Sequence, residues 1–254
     1  ESSMNFDGLE QSYWEAQFQR LEQLRQKIAA RALSTPGRII PDDTDLVIGT
    51  GRRLQATVLF TDVSGFSQRQ SRTSQEQELM LRVLNLFFTE MIRIIEEYGG
   101  AVEKNTGDGL MVYFEDRPAT DPGANSTKRA VACTLTMDAA NEYLISPILR
   151  ATGVPPLRFR TSMDYGPVTI ARIGAAQRFN ANVAIGNTAN FAAHMLGMIN
   201  ADEIALGASA WSCLPEMWRT NWSAISPIST GWVYSDTAIP YPMYLYKGRW
   251  ARLI

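Results

Sequence analysis

Two aspartates stand in settings that suit metal-assisted phosphate chemistry. Asp62 closes the run Thr57-Val-Leu-Phe-Thr-Asp62 and is followed by Val-Ser-Gly-Phe, and Asp108 lies in Lys104-Asn-Thr-Gly-Asp108-Gly-Leu-Met. Each adjoins an apolar, strand-like run beside glycine, a poor setting for a solvated carboxylate. Hard Mg²⁺ or Mn²⁺ prefers carboxylate oxygen and keeps substrate phosphates as further ligands. A single Asp at a strand end is more often a helix N-cap or turn residue; two in matching context favour a metal. After Asp62 the chain passes through Gly65, Phe66 and Ser67 into a long helical pattern. Their backbone N–H groups are expected where a helix N-terminus receives a polyphosphate.

The rest of the chain must hold these residues in place. With 254 residues, 45% hydrophobic and 10% aromatic, it can bury a sizeable core as one domain with appendages. A net charge of −2 supplies no global field to attract nucleic acid or an anionic membrane. Cys133 and Cys213 are isolated and read as reduced thiols, and with His194 as the single histidine a zinc site is not expected. No apolar run reaches the roughly 18–20 residues that span a bilayer, and no signal-peptide core is visible, so a soluble, cytoplasmic protein is expected.

Periodicity divides the chain. Trp14, Phe18, Leu21, Leu24 and Ile28 recur at helical spacing between Phe6 and Leu33, a stripe that fits either packing on the same domain or a short coiled coil in a dimer. Ser34-Thr-Pro-Gly ends that helix, and residues 38–53 read as an irregular arm. The expected division is therefore 1–53, helix and arm, and 54–254, main domain with a C-terminal extension. Within the latter, Leu54–Asp62 reads as a strand, Gln75–Tyr98 as a long helix, and 101–104 with 110–114 as a hairpin whose turn carries Asp108. Asp121-Pro122 opens a helix with Ala130, Cys133, Met137 and Ala140 on its buried side. Residues 157–164 and 167–173 read as a strand pair around Tyr165-Gly166, 187–199 as a helix, and 203–206 as a short strand. The tail from Trp211 reads as irregular, ending in a strand at 244–247. This pattern predicts an α+β protein with helices on one face of a sheet.

Three blocks, Phe60-Thr-Asp-Val-Ser-Gly-Phe-Ser, Gly99-Gly-Ala-Val-Glu-Lys-Asn-Thr-Gly-Asp-Gly-Leu-Met and Ile185-Gly-Asn-Thr-Ala-Asn190, occur in the order and at the separations found in class III nucleotidyl cyclases. The resemblance spans about Leu54 to Ile204. It implies a ferredoxin-like, antiparallel-rich sheet with packed helices. It also implies a head-to-tail homodimer with its sites at the subunit interface, converting a nucleoside triphosphate into the 3′,5′-cyclic monophosphate and pyrophosphate with two divalent ions, Mn²⁺ or Mg²⁺.

Position by position, the resemblance makes Asp62 and Asp108 the metal-binding aspartates, with the Val63 carbonyl as a further ligand. Arg178 matches the triphosphate-contacting arginine and Asn190 the asparagine that orients the ribose. Lys104 stands where adenylate cyclases carry a base-contacting lysine and guanylate cyclases a glutamate. Two positions depart from the pattern. Val183 replaces the Asp or Thr that bonds adenine, so the site lacks a polar group on which strong base discrimination depends. His194 replaces an arginine, one helical turn from Asn190, and fits a catalytic or a structural role equally. Arg172 is expected to supply the missing positive charge.

Because the metal pair, Lys104, Arg178 and Asn190 are kept, a shifted substrate is expected rather than a dead site. The lead-in Gly51-Arg-Arg-Leu-Gln-Ala-Thr-Val-Leu-Phe and the tail Tyr244-Leu-Tyr-Lys-Gly-Arg-Trp resemble the pyrimidine cyclases of bacterial anti-phage Pycsar systems. They imply UTP, or next CTP, as substrate and a separate effector activated by the cyclic nucleotide. An adenylate cyclase and a degenerate nucleotide-binding dimerisation domain are the alternatives.

Overall fold

A computed structural model describes residues 8–29, 51–69, 71–105, 107–121, 123–174, 180–222, 227–234 and 236–251. The arm expected at 38–53 lies outside them except for its last three residues. Those already belong to β1, Gly51–Val63, so the strand begins earlier than the apolar run that reveals it. The N-terminal helix α1 spans Gln11–Ala29 and packs on the domain: its Leu21 is buried in the main core.

One eight-stranded sheet organises the molecule. With β2 at Ala101–Asn105, β3 at Gly109–Glu115, β4 at Phe159–Gly174, β5 at Asn180–Ile185, β6 at Ile204–Gly207, β7 at Ile228–Val233 and β8 at Pro240–Leu245, its order is β2-β3-β1-β4-β6-β8-β7, and β5 pairs with β4 beyond the end of β6. Among these pairings β4–β6 is parallel and the rest are antiparallel. The strand pair expected around Tyr165-Gly166 is instead the single long β4. Its register with β1 runs unbroken from Val63–Phe159 to Gly51–Ala171, and that continuous ladder holds the backbone extended through the glycine. Gly166 serves a close approach rather than a turn, since a Cβ there would lie 2.7 Å from Thr188 Oγ1.

Helix α2, Ser74–Glu97, lays Phe87, Met91, Ile94 and Ile95 against Leu59, Val63, Leu110 and Val112 of the sheet. Each such side chain contributes about 1.5–3 kcal/mol on burial. Helix α3, Ser126–Ala140, completes this layer, and almost its whole surface is buried. It starts later than Asp121-Pro122 because Asn125 caps it, its side chain accepting from Lys128 N at 2.8 Å; Pro122 lies outside the described residues. A π-helical turn, Asn141–Ile145, and helix α4, Ser146–Ala151, follow.

The opposite face is not bare, as the one-sided reading predicts. Helix α5, Asn187–Leu196, places Ala189 against Val58, Met111 and Val168 there. The tail is regular too, with α6 at Ala208–Cys213, α7 at Glu216–Trp222 and the β7–β8 hairpin. Its prolines and aromatics conceal this, since Pro240 and Pro242 sit within β8 and the stacked pair Trp211–Tyr244, 4.3 Å apart, joins α6 to it.

Candidate active site

Residues alternate across β1. Leu59 and Val63 point to the helical layer, while Ala56, Val58 and Asp62 share the α5 face. The β1–β3 register sets Asp62 opposite Gly109, and Val63 N donates to Asp108 O at 2.7 Å, which brings the hairpin turn beside the end of β1. The two carboxylates expected to work together are thus neighbours. On the other side Asp62 faces Arg160 of β4, whose Nε and Nη2 donate to Asp62 Oδ2 at 3.2 and 3.1 Å, and whose Nη1 donates to Ile199 O at 3.0 Å. Burial raises the Asp62 carboxyl above its ordinary range; the Arg160 bonds pull it down and the negative charge of Asp108 pushes it up. Arg160 is invisible as a partner in the sequence, because nothing local to residue 160 reveals that it will face residue 62.

These residues fit a divalent cation. Asp62 and Asp108 repel one another in a partly buried setting, a strain that a bound cation relieves, and Arg160 engages only one Asp62 oxygen. No cluster of three or more His, Cys, Asp or Glu ligands exists among the described residues. Two carboxylates with backbone and substrate oxygens suit Mg²⁺ or Mn²⁺ better than zinc.

The phosphate cradle differs from expectation. Gly65, with φ +69°, precedes a single 3₁₀ turn, Phe66–Gln68, which is separate from α2. The N-terminus of α2 is closed by its own capping box: Glu76 N donates to Thr73 Oγ1 at 3.2 Å, and Thr73 N donates to Glu76 Oε2 at 2.9 Å. The Gly65, Phe66 and Ser67 amides therefore belong to a short loop two residues past Val63, without a long helix behind them.

The remaining candidates lie elsewhere. Lys104 sits in β2 opposite Met111, just after a bulge, and Arg172 in β4 opposite Asn182. Val183 pairs with Ala171 and is half-buried. Arg178 lies outside the described residues. Asn190 and His194 are exposed on α5, as their one-turn spacing predicts. Asn190 lines a cleft of about 1220 Å³ together with Arg53, Thr169, Phe191, Trp232 and Tyr241, and neither Asp62 nor Asp108 lines it. His194 stacks on Trp232 at 4.1 Å and 25°, and Phe191 on Tyr241 at 4.3 Å. Trp232 comes from β7, too far along the chain for any sequence signal to link it to His194. Beneath them Asp164 is buried, accepting from Tyr241 Oη at 2.6 Å and from Ala210 N at 3.3 Å, and burial pushes its carboxyl up to about 6.

The mixed sheet thus sets Asp62, at the end of β1, beside Asp108, in the β2–β3 turn. Residues 50–227 match the family model for the adenylate and guanylate cyclase catalytic domain, so the chain belongs to the class III nucleotidyl cyclases. It is similar to an adenylate cyclase of Anabaena cylindrica, 24% identical over 61% of this chain and 29% of that protein, so it spans under a third of that relative's length. It is also similar to a uridylate cyclase of a Rhodovulum strain, 23% identical over 63% of this chain and 65% of that protein. The crystal structure of the guanylyl cyclase Cya2 matches with a TM-score of 0.63 at 22% identity, covering 78% of this chain and 94% of the other, which shows the shared fold. No helix among the described residues is long and apolar enough to cross a membrane.

Proposed function

We propose that this domain cyclises a pyrimidine nucleoside triphosphate, UTP in preference to CTP, releasing pyrophosphate and a 3′,5′-cyclic monophosphate that acts as a second messenger in bacterial anti-phage defence through a separate effector. The observation that carries the pyrimidine reading is Val183, an apolar side chain at the position where a purine site needs a hydrogen-bonding group. The likeness to the Rhodovulum uridylate cyclase supports it. The named adenylate cyclase keeps cAMP synthesis as the second reading, in which Lys104 and backbone groups suffice for adenine.

In this reading Asp62 and Asp108, with the Val63 carbonyl, hold the divalent ions. Those ions, when bound, lower the pKa of the ribose 3′-hydroxyl and neutralise the triphosphate. Arg160 fixes the Asp62 carboxylate while leaving its second oxygen available. The Gly65–Ser67 loop and Arg178 take the phosphates, Asn190 orients the ribose with His194 one helical turn beyond it, and Arg172 supplies positive charge at the α-phosphate. The 3′-hydroxyl gives up its proton to solvent, its oxygen forms the new bond to the α-phosphorus, and the bond to the leaving pyrophosphate breaks. Asn190 lines a cleft apart from Asp62, which supports a homodimer whose sites each draw on both chains. Residues 54–254 are taken as the catalytic unit and 1–53 as its N-terminal helix and arm.

Incubating the protein with each of UTP, CTP, ATP and GTP in Mn²⁺ and resolving the products tests substrate choice. Turnover of UTP above the other three is expected; turnover of ATP alone would remove the pyrimidine reading, and pyrophosphate release from none would favour a degenerate binding domain.

A further inference from the structure

The strand that supplies Trp232 is shaped to aim it. Between the pairs Ser229–Pro242 and Val233–Pro240 the register slips, so that β7 runs through Thr230, Gly231 and Trp232 while β8 passes only Tyr241. Gly231 takes φ +77°, a conformation open to a residue without a Cβ. Buried Thr230 pins the bulge, its hydroxyl donating to Tyr241 O and accepting from Trp232 N at 3.2 Å. Bulges re-aim side chains and recur beside active sites. Here the indole meets α5, stacking on His194 at 4.1 Å and 25° and lying against Phe191, three residues earlier on the same helix face, at 4.4 Å and 43°. Phe191 stacks in turn on Tyr241, whose hydroxyl donates to buried Asp164 at 2.6 Å. The column therefore runs from an anchored carboxylate up to an exposed imidazole.

His194 has little else to hold it. It is exposed on α5, and among the described residues its imidazole makes no hydrogen bond or ion pair. Left free on a helix, the ring would populate about two χ1 wells and two χ2 orientations, roughly four states. A hydrogen bond could fix it, but would commit one ring nitrogen; a stack grips the face and leaves both nitrogens at the edge free for a ligand. Trp232 is half-buried and lines the same cleft as Asn190, so the stack belongs to the cleft wall and not to the core.

We propose that Trp232 is a positioning residue for the cyclisation, fixing the His194 imidazole one turn from Asn190 with both nitrogens free for the nucleotide. This rests on the assignment of Asn190 and His194 to the nucleotide site. His194 is the only histidine in the 254 residues, so the full chain labelled at histidine gives a single imidazole signal by NMR. In wild type that signal should be shifted upfield by the indole ring current and show cross-peaks to indole protons. The shift should vanish in Trp232→Leu and persist in Trp232→Phe. Trp232→Leu should lower kcat about three- to fivefold, as one ring orientation gives way to roughly four, with KM changed less than about twofold, and Trp232→Phe should restore it. His194→Ala should lower kcat at least as far, and adding Trp232→Leu to it should cost nothing more, since the tryptophan acts only through the histidine. An unshifted imidazole in wild type, which needs no variant to fold, would overturn the proposal. So would an equal loss from Trp232→Leu in the presence and absence of His194, or full turnover by His194→Ala. Those results in an active wild type strike this inference alone, whereas a wild type that cyclises no nucleotide would overturn it together with the cyclase reading.

Discussion

The two halves of the candidate site are built in different ways. Asp62 and Asp108 are set by the register of the central strands, braced by Arg160 and backed by the main core. Val183 sits in β5 opposite Ala171 at the far end of β4, while Asn190 and His194 are exposed on α5, Asn190 lining a wide cleft and His194 stacked on Trp232 at its wall. One half is finished inside the protomer, whereas the other is presented outward. A residue locked in a strand ladder can be identified from its own neighbours, but a residue on an open face acquires its role from whatever meets that face.

The contrast predicts a gradient of mutational effects. Asp62→Ala or Asp108→Ala should lower cyclase turnover by more than about 10³-fold in a protein that still folds, because on the proposed reading a metal ligand is lost while the core beneath is untouched. Circular dichroism together with product assay separates the two effects, and an unfolded variant would mean that the carboxylate is structural. EDTA should reproduce the loss and Mn²⁺ reverse it.

Arg160→Ala should cost about 10- to 100-fold, the range expected for a residue that orients a ligand. Raising Mn²⁺ should recover part of it, and a drop in kcat insensitive to metal would mean Arg160 acts elsewhere. On the open half, Val183→Asp should lower pyrimidine turnover by about tenfold, since a half-buried carboxylate must find a partner or take up a proton. The kcat/KM values for UTP, CTP and ATP measure this; if all keep their wild-type ratios, Val183 does not face the base.

The smallest effect concerns stability under the cleft. The folded-state pKa of Asp164, about 6, is above its ordinary value, so the fold favours the protonated form. Its contribution is complete below the unfolded pKa, near 4, and is lost as pH rises through about 6, on the order of 2–3 kcal/mol in all. Thermal melts from pH 4.5 to 7.5 should fall more steeply for wild type than for Asp164→Asn. Parallel slopes would show that the carboxylate stays solvated.

Much of the fold was legible because local signals agree with it. The apolar run ending at Asp62, the amphipathic stretch of α2 and the Gly-rich hairpin turn each specify their element without help. Long-range pairing was not legible. Gly166 and Pro167 imitate a turn, yet the ladder to β1 runs straight through them. The tail's Trp and Pro residues imitate irregular structure, yet they form a hairpin whose Trp232 stacks on His194. In the candidate site, residue types and spacing single out Asp62 and Asp108, which the strand register brings together, while Arg160 required the cross-strand register and Trp232 the topology of the last two strands.

Mixing two inactive proteins, Asp62→Ala and Asn190→Ala, tests most directly whether one protomer's closed half works with the open half of another. After proven subunit exchange, a heterodimer collects both lesions in one site and leaves the other intact, so turnover of about a quarter of wild type is predicted for equal, random mixing. No recovery despite exchange would contradict the account and place the whole site within a single chain.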